Sequence, residues 1–358
     1  MIEPSGASSL IGASTVHVVD RLEPVREAWN GLIANGANIF ATWDWNDLWW
    51  RHYGRGRRLR VVVATCGGEV EAIVPLFFWS GRPLRVLRLI GHGHGDRLGP
   101  ICDDEPAAAE RALRDALRAV PHDLFVGDWL AGGRGWAQAL GGRVLRTTGY
   151  PILALDGRSW DEILAGNSPR FRKNVRQSRN RLERRHAVTF RSPDADTLER
   201  DLDTLFGLHR ARFGEHEGCH FCGEYEAFQR EFATLAFERG WLRVLLLELD
   251  GEAVAAEFGF LFHDVYFAYQ GGRNPKWDRE SVGFVVELET IRRTLEEGAV
   301  EFRFLGGEEA YKYRFPTQDP RLETLVAART GRGRLAAATL KTAWRLPGGE
   351  NLLRRVGA

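Results

Sequence analysis

The chain has 358 residues, 49 basic against 48 acidic side chains, and a formal net charge of +1 at pH 7. Its 44% hydrophobic content, with 12 tryptophans and 20 phenylalanines, excludes intrinsic disorder, and its near-neutrality excludes a generally adhesive polycation. Single cores rarely grow beyond about 250–300 residues, so two domains are expected.

The N-terminal "MIEPSGASSLIGAS" lacks the basic segment and long apolar run of a signal peptide. No stretch approaches the roughly 18 apolar residues of a membrane span; "AIVPLFFW" is the greasiest piece and contains a proline. Four cysteines do not make a disulfide framework and point to a reducing, cytoplasmic location.

Along the chain, the aromatic helix "WDWNDLWWRHYG" precedes "LRVVVATCGGEVEAI" (Leu59 to Ile73), a strand, a Gly-Gly turn and a second strand. That hairpin returns without gaps at a constant offset of 183 positions as "LRVLLLELDGEAVAA" (Leu242 to Ala256), again after an aromatic helix, "EAFQREFATLAFERG". The repeat predicts two divergent copies of one α/β (α+β) unit, each with a mixed, mostly antiparallel sheet flanked by helices. The expected boundaries are 15–155 and 156–330, with the joint near "YPILALDG" and a basic helical tail over 331–358. In the second copy a strand "DVYFAYQGG", a loop, a helix from Val282 to Glu297 and a strand "VEFRFLG" follow the hairpin. After Pro320, "RLETLVAAR" reads as a strand and "GRLAAATLKTAWRL" as a helix.

The second copy opens with the most charged segment. Between Pro169 and Arg185 stand seven arginines, one lysine and a single acid, Glu183. Ser168 supplies an N-cap hydroxyl and Pro169 suits the first helical position. Phe171, Val175 and Leu182, with Ser178 between them, form a narrow apolar stripe opposite a broad cationic face. That face is either simply solvated or a seat for an anion: a phosphorylated cofactor, a nucleic-acid backbone or an acidic membrane surface.

These pieces together resemble the CelD/FemAB-like acyltransferases, tandem members of the GNAT superfamily. "SPRFRKNVRQSRNRLE", "LRVLLLELDGEAVAAEFGF", "YFAYQGGRNPKWDRESVG" and "FRFLGGEEAYKYRF" are similar to the family's motifs and stand in its order. Val282 replaces an expected proline and Arg303 stands where an aspartate is common, so no role for that acid carries over. The resemblance implies tandem GNAT-like repeats and transfer of an acyl group from acyl-CoA, or a related thioester, to an amine or hydroxyl of a small molecule, glycan or peptide, in polysaccharide or cell-envelope biosynthesis. A Fem-type transferase drawing on aminoacyl-tRNA and a non-catalytic accessory protein of polysaccharide assembly are the alternatives.

On that resemblance the donor's phosphates sit where the fourth strand meets the next helix, here at Arg273, Ser281 and Gly283, with Arg172, Lys173 and Arg176 of the basic helix alongside. Tyr311 is the expected acid for the departing sulfur, and Lys312 would hold phosphate or an oxyanion. Glu257, Tyr269 and Gln270 are expected to converge on the same cleft, one of them activating the acceptor. No metal is expected. "HEGCHFC" (His216, Cys219, His220, Cys222) offers one CxxC where zinc normally wants two pairs, and "GHGHGD" (Gly91 to Asp96) reads as a polar glycine loop.

Overall fold

The computed structural model describes residues 14–33, 38–102, 105–214 and 221–343. The chain divides into two compact units. One holds Phe40–Thr147 with the elements before it and the chain from Glu323; the other holds Thr148–Leu322.

The first unit runs β1 (Ser14–Val19), α1 (Arg26–Ile33), α2 (Trp43–Tyr53), β2 (Arg58–Cys66), β3 (Glu69–Ser80), β4 (Val86–Leu89), β5 (Ile101–Cys102), α3 (Pro106–Ala119), β6 (Leu124–Ala131), α4 (Trp136–Ala139) and β7 (Arg143–Thr148). The second runs β8 (Ile152–Ala154), α5 (Trp160–Ala165), α6 (Pro169–Glu183), β9 (Val188–Arg191), α7 (Leu198–Phe213), α8 (Glu224–Glu238), β10 (Leu242–Leu249), β11 (Glu252–Phe262), β12 (Val265–Arg273), α9 (Val282–Glu296) and β13 (Glu301–Arg303). β14 (Leu322–Ala328) and α10 (Gly331–Ala343) close the described chain.

Local chemistry sets these elements. The Thr42 hydroxyl accepts the Trp45 N–H at 3.2 Å and starts α2. In α3, Ala109, Ala112, Leu113, Ala116 and Leu117 fall on one helical face and are buried against the sheet. The basic helix α6 forms as its sequence predicts: Ser168 accepts the Phe171 N–H at 3.2 Å, and Val175, Ser178 and Leu182 are buried.

The repeated hairpin occupies equivalent places in the two sheets. The first sheet is ordered β1-β2-β3-β4-β6-β14-β7, with β5 on β3; the second is β8-β13-β12-β11-β10-β9. Val62 faces Val74 and the register slips between Ala64 and Thr65. In the other copy Leu245 faces Glu257 and the slip lies between Leu247 and Glu248, the same positions at the same offset. Next to each hairpin an antiparallel strand leads into a parallel pair, β4 with β6 and β12 with β13.

The end of the chain departs from the expected boundaries. β14 does not extend the second unit; it enters the first sheet between β6 and β7, and α10 is no separate tail. Leu325 and Ala327 fill the first core beside Leu113 and Phe125. Arg329 donates to the carbonyls of Leu117 and Arg118 at 3.0 and 2.9 Å, and Thr330 donates to Asp123 at 2.9 Å. The corresponding sixth place in the second sheet is filled by β8, which precedes that unit's other elements.

Leu325 is fully buried, so Leu325→Ala is expected to cost about 2–5 kcal/mol of stability. Val144→Ala on the exposed side of the same sheet should stay within about 0.5 kcal/mol. Equilibrium urea unfolding checks both; equal small effects would remove β14 from the first core.

Candidate active site

β12 pairs with β13 only through Val265–Phe267 against Glu301–Arg303, then continues to Arg273 while the parallel partner turns away. Facing β11, Phe258 pairs with Gln270 and Gly259 with Ala268, leaving Tyr269 as the extra residue of a bulge. A 3-10 turn, Pro275–Glu280, leads into α9. Ser281 sits there in the left-handed region at φ 58, and its side chain caps none of the helix N–H groups. The first turn of α9 therefore carries donors without a side-chain cap beside the end of β12.

Two carboxylates meet on the α9 side of this strand. Glu257 stands opposite Leu245, on the face where Leu247 and Ala255 pack under Val282, Val285 and Val286 of α9. Gly271 makes room for it, since a Cβ there would lie 3.0 Å from Glu257 Oε1. Glu287, 7% exposed on α9, holds an Oε1 with no hydrogen-bond partner. Burial pushes the Glu257 pKa up to about 8, the Glu287 charge adding to the rise and Arg212 opposing it. Burial likewise pushes Glu287 up to about 8 against the pull of Arg314, Arg212 and Lys312. Tyr311, in the 3-10 turn Ala310–Tyr313, lies in the same field: burial first, then Glu257 and Glu287, holds its phenol well above the usual range. Arg212, from the last turn of α7, feels Arg273, Tyr311, Glu257 and Glu287 together, and burial lowers its pKa.

Glu257 and Tyr311 thus come together as expected, joined by Glu287 and Arg212, which sequence reasoning passed over. A glutamate inside the apolar run "VGFVVELETI" was the available signal, because a charged group rarely interrupts a core-facing helix without a task. Tyr269 does not join them. Its hydroxyl accepts from Gln229 of α8 at 2.8 Å and its ring packs on Phe258 and Phe260, on the other face of the sheet. Gln270 is half-buried opposite Phe258. Lys312 is 5% exposed and donates to the carbonyls of Leu305 and Gly306 at 3.3 and 2.7 Å, with Glu309 at 3.1 Å. Three neighbours in its own loop hold the ammonium, so it clamps that loop and acts on Glu287 only through its charge.

Arg273 pairs with Asp278 at 2.6 Å, and its Cδ would meet a Cβ on Gly283 at 3.2 Å, so Arg273, Ser281 and Gly283 do cluster at the start of α9. Arg172 and Arg176 instead line a separate cleft between α5 and α6, and Lys173 is exposed. Val282, in place of the expected proline, is fully buried in the core under α9. Arg303 pairs with Glu301 at 2.7 Å and stacks over Phe267.

The first unit treats its matching strands differently. β4 and β6 also pair in parallel, Val86 with Leu124 and Leu87 with Phe125, but the loop after β4 stitches them further. The Leu98 N–H donates to the Trp129 carbonyl at 3.0 Å, and buried Arg88 lies 3.3 Å from Asp128. His92 of "GHGHGD" is 3.2 Å from Asp128, and burial with the charge of Arg88 lowers its pKa to about 4. Among the described residues no group of three or more His, Cys, Asp or Glu side chains is arranged to hold a metal; His216, Cys219 and His220 lie outside those residues.

Residues 169–313 match the family model of the Acetyltransferase (GNAT) domain. The second unit is a GNAT domain. The fold of the whole chain has counterparts among solved structures. It is similar to the crystal structure of FemX, with TM-score 0.63 and 13% identity over 92% of this chain and 100% of that one. It is also similar to the C-terminal domain (DUF2156) of a putative lysylphosphatidylglycerol synthetase from Agrobacterium fabrum, with TM-score 0.57 and 14% identity over 89% and 97%. At these identities the likeness is one of fold. A search of the curated proteins gives no match.

The raised carboxylates of the GNAT domain make its stability depend on pH. Glu287 ionises near its ordinary 4.5 when unfolded and at about 8 when folded, so its contribution is complete below 4.5 and lost as pH rises to 8. Glu287→Gln cannot ionise, and its stability relative to the wild type should grow steadily from pH 4.5 to 8. Urea midpoints across that range test this; a difference that stays flat with pH would mean Glu287 is not a buried acid.

Proposed function

We propose that the GNAT domain transfers an acyl group from a thioester, with acyl-CoA as the donor, to an amine or hydroxyl acceptor. The observation that carries this reading is the meeting of Glu257, Glu287, Arg212 and Tyr311 beside the stretch of β12 that β13 leaves unpaired. An extended, amide-bearing donor arm suits such a free strand edge, and the donor's phosphates suit Arg273, Ser281 and Gly283 at the helix N-terminus. A buried carboxylate with a pKa of about 8 is a competent base near neutrality. In this scheme Glu257 takes the proton of the attacking nitrogen or oxygen. The tetrahedral carbon then expels the thiolate, which receives the proton of Tyr311. The Tyr311 phenol holds its proton at neutral pH, and the charge of Arg212 eases the release of that proton against burial and the nearby carboxylates. Arg212 supplies positive charge for the developing oxyanion. Glu287 and Lys312 are positioning residues, the first holding the Glu257 pKa up and the second fixing the loop that carries Tyr311.

A second reading, an aminoacyl-tRNA donor, is favoured by the exposed Arg170, Lys173 and Arg176 on α6 with Arg184 and Arg185 just after it. Turnover with acyl-CoA against turnover with charged tRNA separates the two, and activity with neither favours the accessory role.

Glu257→Gln and Tyr311→Phe are each expected to lower kcat by about 10²–10⁴-fold with the fold intact. The rate should rise with pH toward about 8 as the base ionises. Glu287→Gln removes a like charge, so its rising limb should move to lower pH. A pH–rate series on a verified substrate checks all three, and unchanged rates in both Glu257→Gln and Tyr311→Phe would defeat the assignment.

A further inference from the structure

The basic helix contributes to a cleft that the acyl-transfer scheme leaves unused. It lies between α5 and α6, has a volume of ≈ 520 Å³, and is lined by Trp160, Asp161, Leu164, Arg172, Val175, Arg176, Arg179 and Asn180 among others. Three guanidinium groups and the Asp161 carboxylate line it; Arg179 is already paired with Glu183 and Glu289, so the surplus charge rests on Arg172 and Arg176. Arg176 is exposed and makes no ion pair among the described residues. Arg172 spends only Nη1, on the carbonyls of Ala165 and Asn167 at 3.3 and 2.7 Å, which fixes its plane and leaves Nε and Nη2 to donate. Arg179 spends Nε on Glu183 and Nη1 on buried Glu289, leaving Nη2. The half-buried Trp160 adds an indole wall, and Leu164 with Val175 adds an apolar floor.

We propose that this cleft binds a nucleotide group, a flat base joined through a sugar to phosphate. Oriented guanidinium planes recognise phosphate through paired donors. The indole offers a stacking surface that tolerates any base. Asp161 supplies acceptors for sugar hydroxyls or an exocyclic amine, and Asn180 supplies both donors and acceptors. The cavity falls within the size range of small-molecule sites. A bare inorganic anion would leave the aromatic and apolar walls unused, and a purely apolar ligand would leave the guanidinium groups without a counter-charge. The nucleotide group comes either from a free nucleotide or activated sugar, or from the nucleotide end of the acyl donor itself.

Calorimetric titration of the full chain with AMP, UMP and inorganic phosphate tests the site. Both nucleotides are expected to bind saturably, phosphate alone at least about ten-fold more weakly. Trp160→Leu and Arg176→Ala should each weaken nucleotide binding by about ten-fold, with Arg176→Ala as the exposed variant that leaves folding untouched. Glu257→Gln should bind nucleotide like the wild type, which keeps this result independent of the acyl-transfer assignment. If both cleft variants raise the KM for acyl-CoA by the same factor, the nucleotide belongs to the donor; if that KM is unchanged, it belongs to a separate ligand. Absence of saturable nucleotide binding, or affinities that neither Trp160→Leu nor Arg176→Ala alters, would overturn the proposal.

Discussion

Two parallel strands part company in the second unit, which depends on that separation. Beyond Phe267 one edge of β12 has no strand beside it among the described residues, and the Gly271 carbonyl lies 3.1 Å from His209 Nδ1. β12 keeps β13 for three residues and then runs on to Arg273 paired with β11 on its other side. The bulge at Tyr269 shifts the strand at the same place, so that Gly271 faces Glu257 and Gly272 lies against α7. A Cβ on Gly272 would come 2.4 Å from the His209 nitrogen, so the helix bearing Arg212 approaches the strand this closely only over glycine. The first unit starts from the same pairing and removes the gap, bonding Leu98 to Trp129 and setting Arg88 against Asp128. One architecture thus yields an open and a closed version of the same junction.

The electrostatics follow from what the open junction buries. Two carboxylates on facing elements cannot both ionise cheaply in a desolvated pocket, and the basic groups around them limit the cost without removing it. Arg314 is pinned over the Phe284 ring and Arg273 is tied to Asp278. These are fixed charges, Arg314 acting on Glu287 and Arg273 on Arg212, so the field in the pocket is set before any ligand arrives. Elsewhere acids are neutralised where they stand: buried Glu289 is met by Arg179, Arg292 and Arg293. Part of the charge on α6 is therefore structural, which answers in part why that helix is so basic.

Elements governed by short-range rules were legible in the sequence. Both hairpins, the Ser168 cap and the apolar stripe of α6 follow from alternation, turn chemistry and helical period, and each formed where those rules put it. Glu257 and Tyr311 are named from their order along the chain, and the structure sets them in one electrostatic field. Tyr269 was misplaced because one bulged residue moves a side chain to the opposite face, and no local pattern announces a bulge. The surroundings of Lys312 are not legible in the sequence, because its carbonyl partners exist only once the loop Leu305–Gly306 has folded around it. The destination of β14 was hidden for a different reason: its alternation identifies a strand, while the sheet that receives it is decided by topology.

That destination has a bearing on how the chain is made. The first sheet needs a strand that begins at Leu322, so a nascent chain leaving the ribosome has every other strand of that sheet in hand long before the missing one. The second unit, by contrast, has all six strands of its sheet once Arg303 has emerged. Synthesis therefore favours completion of the later-encoded unit first, with the earlier one waiting as an incomplete sheet whose β6 edge lacks its neighbour. Removal of β14 and α10 would consequently damage the beginning of the protein more than its middle.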